Sequence, residues 1–424
     1  MKNDVMILGQ NAVYSCDTNS TGLNNNVLVV AGTGCGKTMS IMEARLLTTT
    51  ESSLVVTCTK RQLVDKYTEY FQKLGYEVGE INFCKPQLST QSYDPMAYVK
   101  SYQDIVFLAQ SIIKADPQKK TATHVDPYWD QAACTLLSAL IAKTMMEKKK
   151  ANFNDVLECF DRIRLQEANS SSAIETGLEE EFCSIARKHP NCFAVTNWNN
   201  FISLPIRTAG CVYSTLASTI SAIFTPELRK MMCLPNKADF RSLASRKSVL
   251  FVTTSAVNPA LHSFIATFYG QLFKQLFEYG EEQPDGRLPI DVTVLADEFA
   301  VGAPVSNMGQ LTSVFRAKGI STLLLIQSES QLISLYGEAD ATTIINNSDT
   351  YVFMGGNDLT TAQNISKRVD KPLQDVLYLP LGREYICRRG TRPVETQRYD
   401  ILNNKKYQEV TKAYENRIRQ RKIK

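Results

Sequence analysis

Histidine is nearly missing from this 424-residue chain, which has three, and its eleven cysteines include no Cys-x-x-Cys pair. That scarcity excludes the usual zinc frameworks and points to a reducing compartment where thiols stay free. Neither sign of charge dominates: 47 Lys+Arg against 43 Asp+Glu leave +4. A surface coated in basic patches is therefore excluded, and any nucleic-acid contact must be local. Long apolar runs are also missing. The longest, near 132–146, is interrupted by Lys143, and a bilayer span needs about 18–20 apolar residues. The N-terminus, MKNDVMILGQ, has no long apolar stretch of the signal-peptide kind. On these grounds the chain as given reads as soluble and cytoplasmic, with no transmembrane segment. At 44% hydrophobic and 21% charged residues it is neither disordered, collagenous nor a coiled rod. Its length suggests two or three domains with a large core.

What is present has a rhythm. The apolar run 27–31 (VLVVA) leads into Gly32-Thr33-Gly34-Cys35-Gly36-Lys37-Thr38, and a helical stretch follows at 39–47. Strand-like runs recur at 54–58 and 78–83, separated by a helix whose Leu63, Val64, Tyr67, Phe71 and Leu74 share one face. This β-α-β-α-β order predicts an α/β fold with a parallel-rich sheet. From residue 97 to 245 the patterns turn helical, at 101–114, 130–147, 153–164, 178–188 and 208–224. Strands return at 248–254, 292–296, 321–326, 350–354 and 384–387. The predicted organisation is a discontinuous nucleotide-binding domain, 1–96 and 246–404, interrupted by an all-α domain, 97–245. A basic tail, 405–424, closes the chain. It carries eight basic and two acidic residues, a net +6, and leaves the remainder at −2. Such a tail can touch phosphate or acidic lipid, or form a solvated terminal helix.

The chemistry concentrates at a few positions. Ala31-x-x-x-x-Gly36-Lys37-Thr38 is a phosphate-binding loop with alanine for its first glycine. Its glycines let backbone N–H groups turn inward around phosphate oxygens, and the helix N-terminus adds positive potential. Gly32 through Thr38, with Met39, form the expected nucleotide-binding segment. Lys37 is expected on the β- and γ-phosphates of ATP, and the Thr38 hydroxyl on Mg²⁺. Asp297-Glu298 follows the apolar strand 292–296, where a carboxylate borders the nucleotide crevice of an open α/β sheet. Asp297 is expected to share the Mg²⁺ shell and Glu298 to polarise the attacking water. Gln327, at the end of strand 321–326, can orient that water or cap the strand. Arg316 can answer its helix dipole or, in a ring, reach a neighbour's phosphate. His262 reads as a structural polar-face residue of an apolar helix, His124 and His189 lie in loops without a carboxylate–serine constellation, Cys35 reads as tolerated in its loop, and Trp129 and Trp198 read as core.

At this point the ordered segments resemble a known family, the type IV coupling proteins, or TraG/VirD-type conjugative DNA-transfer ATPases. They are NNNVLVVAGTGCGKT at 24–38, YDPMAY at 93–98, DPYWDQAA at 126–133, VTVLADEF at 292–299, FRAKGISTLLLIQSESQL at 315–332 and Tyr336-Gly337. The resemblance implies a RecA-like P-loop ATPase domain with an all-α insertion, assembled as a homo-hexamer when active, the monomer being the alternative for the isolated chain. It implies single-stranded DNA, relaxase or relaxosome proteins and type IV secretion channel components as partners, met at the cytoplasmic face of the membrane. It also makes Arg316 a catalytic finger acting in trans and Gln327 a glutamine facing the nucleotide. Two departures stand out. The family's usual transmembrane anchor is not seen, and its Asp-Pro-Lys-Gly loop is Cys58-Thr59-Lys60-Arg61 here. The alternatives are an FtsK/HerA-type double-stranded DNA pump and a nucleotide-holding docking platform with little turnover.

Overall fold

Strands buried on both faces read as unbroken runs of Val, Leu and Ile, because helices cover the two sides of a parallel sheet. The structure, a computed structural model, describes residues 4–114, 127–167, 174–255, 258–299 and 301–423. His124 and Asp126, named above, lie outside these residues. Two compact units are present: Met1–Cys84 with Asp239–Ala256 and Leu272–Lys424, and Lys85–Ala238 with Val257–Gln271.

The first unit opens with an antiparallel hairpin, β1 (Val5–Gly9) and β2 (Ala12–Ser15), which the sequence rhythm did not reveal. Its main sheet contains β3 (Val27–Val30), β4 (Ser53–Cys58) and β5 (Glu77–Asn82). Among the described residues, the strands of the second unit are the short antiparallel pair β6 (Gln166–Glu167) and β7 (Ile174–Glu175). The main sheet then continues with β8 (Ser248–Thr253), β9 (Val292–Ala296), β10 (Ile320–Ile326), β11 (Thr350–Phe353), β12 (Arg383–Arg388) and β13 (Val394–Gln397). Its strand order is β13-β12-β11-β3-β10-β9-β4-β8-β5. All pairings from β11 to β5 are parallel, whereas β12 and β13 add an antiparallel edge. Every residue of β3, β4, β8, β9, β10 and β11 is buried, while β13 is mostly exposed, as an edge strand should be. All eleven cysteines are free, and no helix among the described residues is long and apolar enough to cross a membrane.

The basic tail is a helix, Lys405–Ile423, and it docks through Tyr407, Val410 and Arg417. Tyr407 and Val410 are buried, and the Lys66 ammonium lies 3.6 Å over the Tyr407 ring. Arg417 pairs with Glu69 and donates to the Asp65 carbonyl at 2.8 Å. Aromatic burial and a cation–π contact thus hold this segment to the helix Gln62–Lys73.

The described residues of the second unit are mostly helical. Its central helix, Pro127–Glu147, is apolar on all sides and buries most of its residues, the pattern of a core helix. Lys143 is fully buried there, its charge matched by Glu147 at 2.7 Å and Glu181 at 2.6 Å. Trp198 is buried and stacks on Phe182 with 4.1 Å between ring centroids. The sequence rhythm changes at 97, but the unit begins at Lys85. Tyr93 explains the earlier start: it is buried against Phe264 and Phe268 and donates to Gln271 at 2.7 Å, all within this unit.

One strained group sits in the antiparallel edge of the first unit. Glu384 on β12 is fully buried, and neither carboxylate oxygen has a hydrogen-bond partner among the described residues. Burial pushes its pKa from about 4.5 up to about 8, although the Arg398 charge pulls the other way. The folded chain therefore keeps a proton that the unfolded chain releases, and stability drains away as pH rises from about 4.5 to about 8. Glu384→Gln should raise the thermal midpoint at pH 9, by on the order of a few kcal/mol of stability. The gain should vanish near pH 4.5. A pH series of melts read by circular dichroism checks this, and a pH-independent difference would clear the carboxyl.

Candidate functional site

Parallel register brings the site together. Val30 at the end of β3 lies opposite Ile326 of β10 and Phe353 of β11, and Leu324 of β10 lies opposite Ala296 of β9. The segments that follow these strands therefore emerge along one edge of the sheet. They are the glycine loop, Asp297-Glu298, Gln327 and Gly355-Gly356.

The loop is anchored at its base. The Ala31 N–H donates to the Ile326 carbonyl at 3.1 Å, and the Gly32 N–H to the Gly355 carbonyl at 2.8 Å. Gly34 and Gly36 have φ of 82° and 83°, the left-handed region where a Cβ is costly. Gly36 is also crowded: a Cβ there would lie 2.6 Å from Arg398 Nη1, whereas Gly34 has open space. Thr38–Met42 then forms one wide turn, closed by the Glu43 N–H on the Thr38 carbonyl, before the helix Glu43–Thr48. Wide turns of this kind gather at functional sites.

Four side chains link up above the loop. Lys37, 6% exposed, places its ammonium 3.0 Å from Glu298 Oε1. Gln327 Nε2 donates to Glu298 Oε2 at 3.0 Å, and Gln331 Nε2 donates to Gln327 Oε1 at 3.4 Å. Beside them the Thr38 hydroxyl donates to Asp297 Oδ2 at 3.0 Å, while Asp297 Oδ1 is buried without a partner among the described residues. Burial raises the Asp297 pKa. The Thr38 hydrogen bond and the Lys37 charge oppose that rise, and the Glu298 charge adds to it. Glu298 has φ of 54°, uncommon for a non-glycine residue and typical of strained functional positions. Phe299 holds the turn in place: its N–H donates to the Leu325 carbonyl, and its ring stacks on Tyr336 at 5.6 Å. Tyr336 in turn accepts the Val305 N–H at 3.2 Å. The separated sequence motifs ending in Asp-Glu-Phe and Tyr-Gly are thus one packed unit.

The residues singled out from sequence fall into two groups. Lys37, Thr38, Asp297, Glu298 and Gln327 converge, with the Gly32–Gly36 backbone and Met39 beneath them. Arg316 does not join them. It is exposed in the last turn of the helix Met308–Lys318, before β10 begins at Ile320. β10 runs seven residues from there to Ile326, so Arg316 sits at the far edge of the sheet, about 20 Å away at 3.3 Å per residue. In the altered loop after β4, Arg61 pairs with Glu80 at 3.0 Å and Asp65 at 2.8 Å, and Lys60 is exposed. Two contributors escaped the sequence reading as site residues. Gln331 was visible in Gln-Ser-x-x-Gln-Leu, but Arg398 lies in an unremarkable stretch.

An oxygen-only pair, the Thr38 hydroxyl and the Asp297 carboxylate with one oxygen unpartnered, fits Mg²⁺, which takes few protein ligands and keeps several waters. No cluster of three or more His, Cys, Asp or Glu suited to a metal occurs among the described residues.

The family model for type IV secretory system conjugative DNA transfer matches residues 2–371. The chain belongs to that family. The type IV secretion system-coupling protein VirD4 of Bartonella henselae is 23% identical over 67% of this chain and 43% of its own length. This chain therefore spans less than half of that relative. Among solved structures, the bacterial conjugative coupling protein TrwB is similar at TM-score 0.65 and 16% identity, covering 88% of this chain and 85% of that one. TrwB in complex with ADP and Mg²⁺ is similar at TM-score 0.62 and 15% identity, covering 88% and 85%. At such identities the likeness establishes the fold, a RecA-like P-loop α/β domain.

The two left-handed loop glycines should respond differently to substitution. Gly34→Ala meets only the backbone penalty, about 1–2 kcal/mol, while Gly36→Ala also drives a methyl group into Arg398. Gly36→Ala should lower the unfolding midpoint in denaturant by more than Gly34→Ala. Equal shifts would mean that Arg398 moves aside without cost.

Proposed function

We propose that this chain binds ATP with Mg²⁺ and hydrolyses it, driving or licensing passage of single-stranded DNA with an attached relaxase toward a type IV secretion channel. The observation that carries the ATPase reading is the chain of contacts from Lys37 through Glu298 to Gln327 above an anchored P-loop. A cation, a carboxylate and an amide are the groups that phosphoryl transfer to water uses, which supports the reading. The Gly32–Thr38 backbone and Met39 cradle the phosphates, and Lys37 answers their charge. Glu298 accepts the proton of the attacking water, and Gln327 holds that carboxylate in position through Oε2. Thr38 and Asp297 would hold Mg²⁺, which neutralises charge building on the phosphoryl oxygens when bound.

Family membership supports the transfer role, and the likeness to TrwB in complex with ADP and Mg²⁺ supports nucleotide and Mg²⁺ as ligands. On the same grounds we assign a homo-hexameric ring, relaxosome and channel components as partners, and a working place at the cytoplasmic face of the membrane. The exposed side chains of Lys405, Lys406, Lys412 and Arg419 on the helix Lys405–Ile423 offer phosphate contacts for DNA, with the salt dependence that such contacts bring. The position of Arg316, a strand's length from its own site, suits a finger reaching a neighbouring subunit.

Lys37→Ala should abolish turnover, and Glu298→Gln should retain ATP binding while losing turnover by two or more orders of magnitude. Phosphate release with and without single-stranded DNA, beside a nucleotide-binding titration, checks both. Near-normal hydrolysis in either variant would reject the assignment of these residues to the hydrolytic site.

For Arg316, the test is complementation between subunits. Lys37→Ala and Arg316→Ala proteins should each be nearly inactive, since arginine fingers contribute on the order of 10³–10⁵ in rate. Once mixed and allowed to exchange, roughly a quarter of interfaces would pair an intact Lys37 with an intact Arg316. Activity should then return. No recovery, under conditions where wild-type rings form and exchange, would leave Arg316 as a helix-end cation.

A further inference from the structure

Arg398 lies beyond the residues that the family model matches, which end at 371, yet its side chain reaches the phosphate loop. It follows β13, and its own N–H donates to the Gly382 carbonyl at 2.7 Å. That bond fixes the residue at the open end of the β12–β13 hairpin, which is itself paired to β11 and through it to β3. From there Nη1 donates to the Cys35 carbonyl at 2.7 Å. The guanidinium also lies against Gly36: a Cβ there would be 2.6 Å from Nη1 and 3.2 Å from Cζ.

The position of that carbonyl matters. The Cys35 C=O and the Gly36 N–H belong to one planar trans peptide, so they point in opposite directions. A charged donor held on the carbonyl therefore aims the Gly36 N–H away from itself, toward the hollow of the loop. That bond restrains a peptide whose C-terminal residue is a left-handed glycine, Gly36 at φ 83°, a residue type free to turn either way. A cation on the carbonyl also polarises the peptide and strengthens its N–H as a donor. A bulkier residue at 36 would block the approach, so the glycine serves both the turn and the arginine.

We infer that Arg398 is a positioning residue of the nucleotide site: it locks the Cys35–Gly36 peptide so that the Gly36 N–H is presented to the phosphates of a nucleoside di- or triphosphate. The inference rests on the reading of this loop as the nucleotide site. It makes the C-terminal hairpin a working part of that site. Because Arg398 is half-buried, its remaining N–H donors stay within reach of solvent or of a bound polyphosphate.

The test uses the full chain and a non-hydrolysable ATP analogue, titrated against wild type, Arg398→Ala, Arg398→Lys and Lys37→Ala, with thermal midpoints measured in nucleotide-free protein. Arg398→Ala should weaken analogue binding about tenfold, the scale of one charge-assisted hydrogen bond. KM for ATP should rise in step, and kcat should fall less. Arg398→Lys, which can still donate to the carbonyl, should recover much of the affinity. The midpoint of Arg398→Ala should stay close to wild type. Unchanged affinity in Arg398→Ala, beside a clear loss in Lys37→Ala, would overturn the inference and leave the nucleotide site standing. A loss in Arg398→Ala matched by a large fall in midpoint and not relieved by lysine would also overturn it, reducing Arg398 to a structural tie. If Lys37→Ala binds the analogue as wild type does, the nucleotide-site reading falls and the inference with it.

Discussion

Parallel pairing of β3 with β10 and β11, and of β10 with β9, is the constraint on which the site rests. A parallel sheet sends all its strands the same way, so whatever follows each strand arrives at one edge. Four segments far apart in sequence thus meet without any of them being shaped for the others. The cost is that parallel strands need long crossovers, and one of these, between β5 and β8, holds most of the helical unit. The core that fixes the register is ordinary: Val, Leu and Ile on strands buried on both faces.

On that edge, electrostatics decides the finer arrangement. Lys37 and Glu298 are both largely withdrawn from water, at 7% and 23% side-chain exposure, and a charge in such a place requires a partner. Each is the other's partner, and Gln327 satisfies the second carboxylate oxygen. Asp297 is treated differently. One oxygen is met by Thr38 and the other is left bare, and a carboxylate so placed is held above its ordinary pKa. A divalent cation would reverse that balance and draw Asp297 to its charged form. The strained backbone at Glu298 shows that its side chain is placed at some expense of local energy.

The legible parts of the sequence were those with a local signal. The P-loop lies within eight consecutive residues, and its strand and helix flank it directly. Asp297, Glu298 and Gln327 each follow a run of buried apolar residues, so position alone marked them. What the sequence could not convey was pairing. That Gln327 would meet Glu298 depends on β9 and β10 being neighbours, and neither run says so. Glu384 and Arg398 carry no periodic pattern, because the hairpin β12–β13 sits at the margin of the sheet, where alternation is short and irregular. The tail was legible as basic, yet its docking through Tyr407, Val410 and Arg417 depends on the helix Gln62–Lys73, more than 300 residues earlier. The start of the helical unit at Lys85 rather than 97 has the same origin, since Tyr93 finds its aromatic partners far along the chain.

Calorimetric titration of the wild-type chain with ADP, in the presence of Mg²⁺ and again with a chelator, tests the central claim most directly. The account predicts one saturable site per chain, with clearly weaker binding once Mg²⁺ is withdrawn, because Thr38 and Asp297 then lose the cation they share with the phosphates. No saturable binding, or binding indifferent to Mg²⁺, would contradict it.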